Sequence, residues 1–494
     1  MVDRPAHRHH RPRERPRHRH RHGRARVQGH PYAAPPVGPN RFQPPRPVEP
    51  WTGTRDATRF GPTAPQADSS GPLADLVPRS LIPGDDYLNL NVWTADTTGS
   101  APVMVFVHGG AFTSGSGSIG GYDGTRFARD GVVLVTINYR LGADGFLWLG
   151  DGVPNLGLLD QVAALEWVRD NIAGFGGDPA NVTAFGESAG AMSVCTLLAM
   201  PSARGLFRRA IAQSGAGHSV VSPTTARLIG TRLAAILGVA PNREAIASVP
   251  MARLLDAQTR IATEIGAKPR AKLWGEVARN LMPFEPVVDG EVLPASPIEC
   301  IASGAGSDVD VLIGTNAEEA RLFVVPTGLI TKINSMVLHL GARRYGLPAG
   351  SAVRRYRANR PGSTAGDVLA AVITDWYYRI PAVRLAEAHG RSHVYEFAWR
   401  SPAYDGALGA CHVIELPFVF DNLDEPAFVA ITDGHAPQEL ADAVHRAWVE
   451  FAATGDPGWP VYSADHRVGM VFDTDSATVV DDRADERVLW DGRR

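Results

Sequence analysis

The sequence predicts an α/β fold, a mostly parallel sheet wound on both faces by helices. Val103–Val107 and Val132–Ile137 are continuous apolar runs, the pattern of central parallel strands covered on both sides. Leu158, Val162, Leu165 and Val168 recur at helical spacing in a stretch that ends before Gly174. Gly186-Glu187-Ser188-Ala189-Gly190 reads G-x-S-x-G, with the short apolar strand Val182–Phe185 before it and an apolar helix from Ala191 after it. That strand–turn–helix context is what a nucleophile elbow requires.

In chain order, residues 1–28 form an Arg/His/Pro-rich tail that cannot bury apolar area and is expected to be disordered. Its readings are metal capture by the histidines, attachment to an anionic surface, a solvated tail without a role, or a misassigned start. Residues 29 to 66 are rich in Pro and Gly and read as ordered loop. Tyr87–Trp93 alternates like a half-buried strand, and Ala210–Gln213 is a further short one. Residues 223–282 are helical in pattern, and Val309–Ile313 is a strand leading to Gly314-Thr315-Asn316. Residues 327–392 are helical again, Val394–Phe397 is a late strand, and 438–453 is a closing amphipathic helix. With no repeat and no linker after residue 40, residues 29–494 are expected to form one domain whose helical insertions build the pocket.

Composition narrows the function. A net charge of −3 argues against a dedicated nucleic-acid binder, although residues 1–26 carry about +8 and the remainder −11. Cys195, Cys300 and Cys411 are too few and scattered for a zinc cluster or disulfide framework, and read as reduced thiols. No apolar run reaches membrane-spanning length, and no apolar segment of a secretory signal follows the basic N-terminus. The expectation is a cytoplasmic protein, or a secreted one if the start is misassigned.

A serine hydroxyl needs a base to take its proton and a carboxylate to orient that base. In the α/β-hydrolase arrangement these follow in the order Ser, acid, His. Glu318 and Glu319 follow a strand end, and His412 lies in the loop Gly409-Ala410-Cys411-His412-Val413-Ile414-Glu415. His108-Gly109-Gly110-Ala111-Phe112 follows a strand where small residues let backbone N–H groups approach a carbonyl oxygen, and the N–H of Ala189 adds a donor beside the serine.

These blocks resemble the type-B carboxylesterases, the family of the bacterial para-nitrobenzyl esterases, with more distant similarity to cholinesterases. Further matching blocks are Pro31–Gly38, Asn138-Tyr139-Arg140-Leu141-Gly142, Asn155–Gln161 and Phe175–Thr183. The resemblance implies the α/β-hydrolase fold, Ser188 as nucleophile, His412 as base and Glu319 as acid, with Glu318 in an Asp position. It places the oxyanion hole on Gly109, Gly110 and Ala111 with Ala189. Glu187, Ser214 and Glu415 are expected to support the triad, Ser214 by bonding its carboxylate and Glu415 by holding the His412 loop. Asp160 reads as a helix cap and His108 as structural.

Four departures from the family pattern stand out. The glycine expected after the acid is Ala320, a disulfide cysteine is replaced by Tyr87, an aromatic residue is replaced by Asp144, and nothing before residue 29 resembles the family's N-terminal strands. The last implies a missing or unpaired sheet edge and lowered stability. The function implied is hydrolysis of a small-molecule carboxylic ester without metal or organic cofactor, by a monomer or homodimer. The alternative is a catalytically silent binding or adhesion protein on the same fold.

Overall fold

The computed structural model describes residues 18–19, 25–68, 71–77 and 79–493. The readings for 1–17 and 20–24 lie outside the described residues. Eleven strands of the described residues make one sheet: β1 (His18–Arg19), β2 (Ala25–Pro31), β3 (Asn89–Thr94), β4 (Ala101–Val107), β5 (Val133–Ile137), β6 (Gly177–Glu187), β7 (Arg209–Gln213), β8 (Asp310–Asn316), β9 (Ser392–Phe397), β10 (Val468–Phe472) and β11 (Ala477–Val480). Their order is β1-β2-β3-β5-β4-β6-β7-β8-β9-β10-β11. From β5 to β10 every neighbouring pair is parallel, and antiparallel pairs close both edges.

Strand alternation divides the core. Val103, Val105 and Val107 of β4 face one apolar layer, which includes the Leu156–Asn171 and Ala189–Ala199 helices. Met104 and Phe106 face the other, capped by the Gln438–Thr454 helix through Trp448 and Phe451. A period of two on a sheet covered on both faces sends every side chain into a core, which is why these strands read as unbroken apolar runs. A third apolar cluster, including Leu338, Tyr356, Val372 and Trp490, belongs to the helical insertion.

Two expectations are corrected here. The sheet edge is present: Ala25–Pro31 pairs antiparallel with β3, with Val27 opposite Val92 and 2% exposed. Residues 25–28 are therefore strand rather than tail, and the arginine-rich composition conceals it because Arg26 lays its guanidinium over the Phe60 and Trp93 rings. Residues 29–31, read as the start of an ordered loop, are strand as well, and β10 and β11 extend the sheet beyond β9. No helix among the described residues is long and apolar enough to cross a membrane.

Candidate active site

The elbow is built as its pattern requires. β6 ends at Glu187 and a helix begins at Ala189, so Ser188 turns the chain with φ 56 and ψ −123, a conformation most residues avoid. Its N–H donates to Gln213 O at 2.9 Å and its carbonyl accepts from Met192 N–H at 2.9 Å, which fastens the turn on both sides. Gly190 lies so close to strand β4 that a Cβ there would collide with the Val107 carbonyl. Ala189 opens the helix, so its N–H has no intrahelical acceptor.

The loop after β4 packs on this turn. A Cβ on Gly109 would lie 2.8 Å from Glu187 Oε2 and 3.1 Å from Ser188 Cβ, so loop and elbow are in direct contact. Gly110 has φ 112, and Ala111 and Phe112 continue at φ 52 and 60. Thr113 and Ser114 N–H groups both donate to Gly110 O, turning that carbonyl away, and Gln66 clasps Gly115 through two hydrogen bonds. The His108 ring is buried, stacks on Tyr139 at 4.5 Å, and is held by burial at a pKa of about 4, a neutral structural imidazole.

Glu319 and His412 meet. The Nδ1 atom of His412 lies 2.6 Å from Glu319 Oε2, with both side chains buried, and His412 N–H donates to Glu319 O. Asn316 N–H donates to Glu319 Oε1 at 2.8 Å, fixing the carboxylate. The other ring nitrogen, Nε2, lies 3.1 Å from Glu187 Oε1, and no hydrogen bond joins it to Ser188 Oγ.

Glu318 carries a different task. It accepts from Arg321 at 2.8 Å and from Ala410 N–H at 3.1 Å, and pairs with Arg400. Arg321 also donates to Ala407 O and to Asp367 Oδ1, both at 2.8 Å. The loop bearing Glu319 is thereby tied to the loop bearing His412. Burial opposes ionisation of Glu318, but the arginines outweigh it and hold its pKa below the ordinary carboxylate range.

Three buried carboxylates surround one imidazole. Burial alone would lower the His412 pKa, but Glu187 first and Glu319 second raise it to about 9. Burial, reinforced by Glu415 and Glu319, pushes Glu187 well above the usual range, and burial also raises Glu415. Glu415 accepts from Gln213 Nε2 at 3.1 Å and from Asn316 Nδ2 at 2.7 Å, while Asn316 Nδ2 also donates to Cys411 O and Trp448 Nε1 donates to Gln213 Oε1. This network, with Glu415 at its centre, joins β7, β8, the His412 loop and the closing helix.

Ser214 does not make its expected bond. It sits at φ 54 with its N–H donating to Gly314 O, and its buried Oγ has no partner. Asp160 is not a cap either; it lies inside the Leu156–Asn171 helix and forms a fully buried double hydrogen bond with Arg140, at 2.7 and 2.8 Å. Sequence reasoning also missed two rings beside the imidazole, Tyr378 at 4.9 Å and Phe323 at 5.5 Å. Tyr378 is delivered by a π-helical turn, Asp375–Arg379, which no local pattern announces. Cys195, Cys300 and Cys411 are free thiols.

The chain matches the carboxylesterase family over residues 18–477. It is 38% identical to the para-nitrobenzyl esterase of Bacillus subtilis, over 93% of each chain. It is also 38% identical to the phenmedipham hydrolase of Pseudarthrobacter oxydans, over 92% of this chain and 93% of that one. The crystal structure of Geobacillus stearothermophilus carboxylesterase EST55 superposes with a TM-score of 0.82 at 38% identity, covering 95% and 96% of the two chains.

Proposed function

This chain belongs to the carboxylesterase family and is a carboxylic ester hydrolase, and we propose that it works through an acyl-enzyme formed on Ser188 with His412 as base and Glu319 as its orienting acid. The observation that carries this reading is the 2.6 Å contact between His412 Nδ1 and Glu319 Oε2 beside a strained, glycine-flanked serine.

In this mechanism Ser188 Oγ attacks the ester carbonyl while His412 Nε2 takes its proton. The N–H groups of Gly110, Ala111 and Ala189 receive the developing oxyanion, with Gly109 placing the loop; a donor of this kind contributes about 2.7–4 kcal/mol to the barrier. Collapse expels the alcohol with a proton from His412. Water, activated by the same imidazole, then frees the acid and restores Ser188. Glu187 and Glu415 set the electrostatics of the imidazole and the position of its loop.

The rings of Phe323 and Tyr378 beside His412 support a substrate with an apolar or aromatic group at the reacting ester. Relatives named for para-nitrobenzyl ester hydrolysis and phenmedipham hydrolysis agree with that class. The test is Ser188→Ala assayed on p-nitrophenyl esters of increasing acyl length. Turnover should vanish across the series with the thermal midpoint unchanged, and retained turnover would refute the assignment.

A further inference from the structure

Between Glu319 and Asp367 the chain has no acidic residue and eight Lys/Arg, in a protein whose net charge is −3. The segment begins at the acid loop, and its Phe323 touches the His412 ring, so it belongs to the insertion that walls the site. Its Ser335–Arg344 helix buries Leu338 and Ala342 in the insertion's core and turns Met336, Val337 and Leu340 outward, 67%, 38% and 55% exposed. Met336, Leu340 and Arg343 stand at i, i+4 and i+7, one stripe of the helix in which apolar side chains lead into a cation.

The adjoining Ala349–Ala358 helix packs against it and repeats the charge. Gly350, Arg354 and Arg357 form its exposed stripe, while Val353 and Tyr356 are buried. Asp485 and Glu486, the acids packed against this helix, are engaged by Arg355, Asn359 and Arg360. Among the described residues no carboxylate lies within ion-pair distance of Lys332, Arg343, Arg354 or Arg357.

Single exposed apolar residues are ordinary on a protein surface. Large apolar side chains sharing a helix stripe with unpaired arginines are the composition of an interfacial helix, whose apolar part enters the headgroup boundary while the cations meet anionic lipid. A nucleic acid or other polyanion would use the arginines and leave Met336 and Leu340 in water. We propose that the exposed face of the Ser335–Arg344 helix, with the arginines of the Ala349–Ala358 helix, docks this protein on an anionic lipid surface.

The test is co-sedimentation of the full chain with vesicles of phosphatidylcholine, alone or mixed with phosphatidylglycerol, at low and high salt. The wild type should partition to the anionic vesicles and be released by salt. An Arg343→Gln/Arg354→Gln/Arg357→Gln variant and a Met336→Ser/Leu340→Ser variant should each lose at least about tenfold in partition. Both should keep wild-type turnover of soluble p-nitrophenyl acetate, which separates loss of docking from loss of fold or of the catalytic assignment. Equal binding to neutral vesicles would overturn the proposal, as would no binding at all. Undiminished binding by the arginine variant would assign the attraction to the N-terminal arginines and also overturn it. Undiminished binding by the Met336/Leu340 variant would make the face a simple polyanion site, which the proposal excludes.

Discussion

Tyr87 and Asp144 hydrogen-bond each other, with Tyr87 Oη 2.8 Å from Asp144 Oδ2, both side chains buried. These are two of the positions that the sequence reading set apart from the family pattern, and the fold brings them together across 57 residues. Burial raises the Asp144 pKa and the nearby cations Arg140 and Arg41 oppose that rise, which makes the tyrosine the carboxyl group's direct hydrogen-bond partner.

Losses at the two positions should therefore not add. Tyr87→Phe leaves a buried carboxyl group without its donor and should destabilise by about 1–3 kcal/mol. The double variant Tyr87→Phe/Asp144→Leu should be less destabilised than the two single losses added together. Urea unfolding of the four proteins measures the coupling, and simple additivity would show that the pair is not a unit.

The pH dependence of turnover reports on Glu187. A base works only when neutral, so an imidazole raised to about 9 places the acid limb of kcat/KM high, with activity climbing as pH rises toward that value. Glu187 is the first of the three carboxylates that raise the ring, ahead of Glu319 and Glu415, and it titrates with His412 as a pair. Glu187→Gln leaves only Glu319 and Glu415 to raise the ring, so the limb should move to lower pH by about one unit or more. A limb that stays in place would show that Glu187 does not set the basicity of His412.

Gly110→Ala should act on kcat. At φ 112 an added Cβ meets the Ser114 carbonyl, so the loop must shift, and its N–H groups leave the place where charge develops. Loss of one such donor costs roughly a hundredfold or more in kcat. Steady-state kinetics should show this with KM nearly unchanged, and a change confined to KM would move the oxyanion site elsewhere.

The corrected sheet edge makes its own prediction. Val27 is buried against the apolar layer of β3 and β4, so Val27→Ala should lower stability by about 2 kcal/mol and depress the thermal midpoint. A midpoint equal to the wild type would mean the strand adds nothing to the fold.

Much of the site was legible because its parts are local. The elbow is five consecutive residues, the oxyanion loop another five, and both depend on glycines that the backbone geometry demands. Glu319 and His412, read from separate short blocks, meet at 2.6 Å, while no hydrogen bond joins Ser188 to the ring. What could not be read depends on partners distant in the chain. Asp160 resembles a cap until Arg140 is brought beside it, and Ser214 resembles a bonding partner until its buried Oγ is found without one. Strand β2 was hidden by composition, because an arginine that lies flat on aromatic rings counts as polar in any pattern. Tyr378 depends on one extra residue per turn, a register change invisible in periodicity.

The Arg321 clamp has a mechanical consequence. With Glu318 it staples the loops of Glu319 and His412 into one body, while the loop after β4 packs so closely on the Ser188 turn that a Cβ on Gly109 would lie 3.1 Å from Ser188 Cβ, which makes a second. The two bodies are joined at Gln213, whose carbonyl accepts from Ser188 N–H and whose Nε2 donates to Glu415, and at Glu187, 3.1 Å from His412 Nε2. Movement of one body against the other is therefore taken up at these two joints, and the Glu187–His412 contact is the one that lies beside the serine.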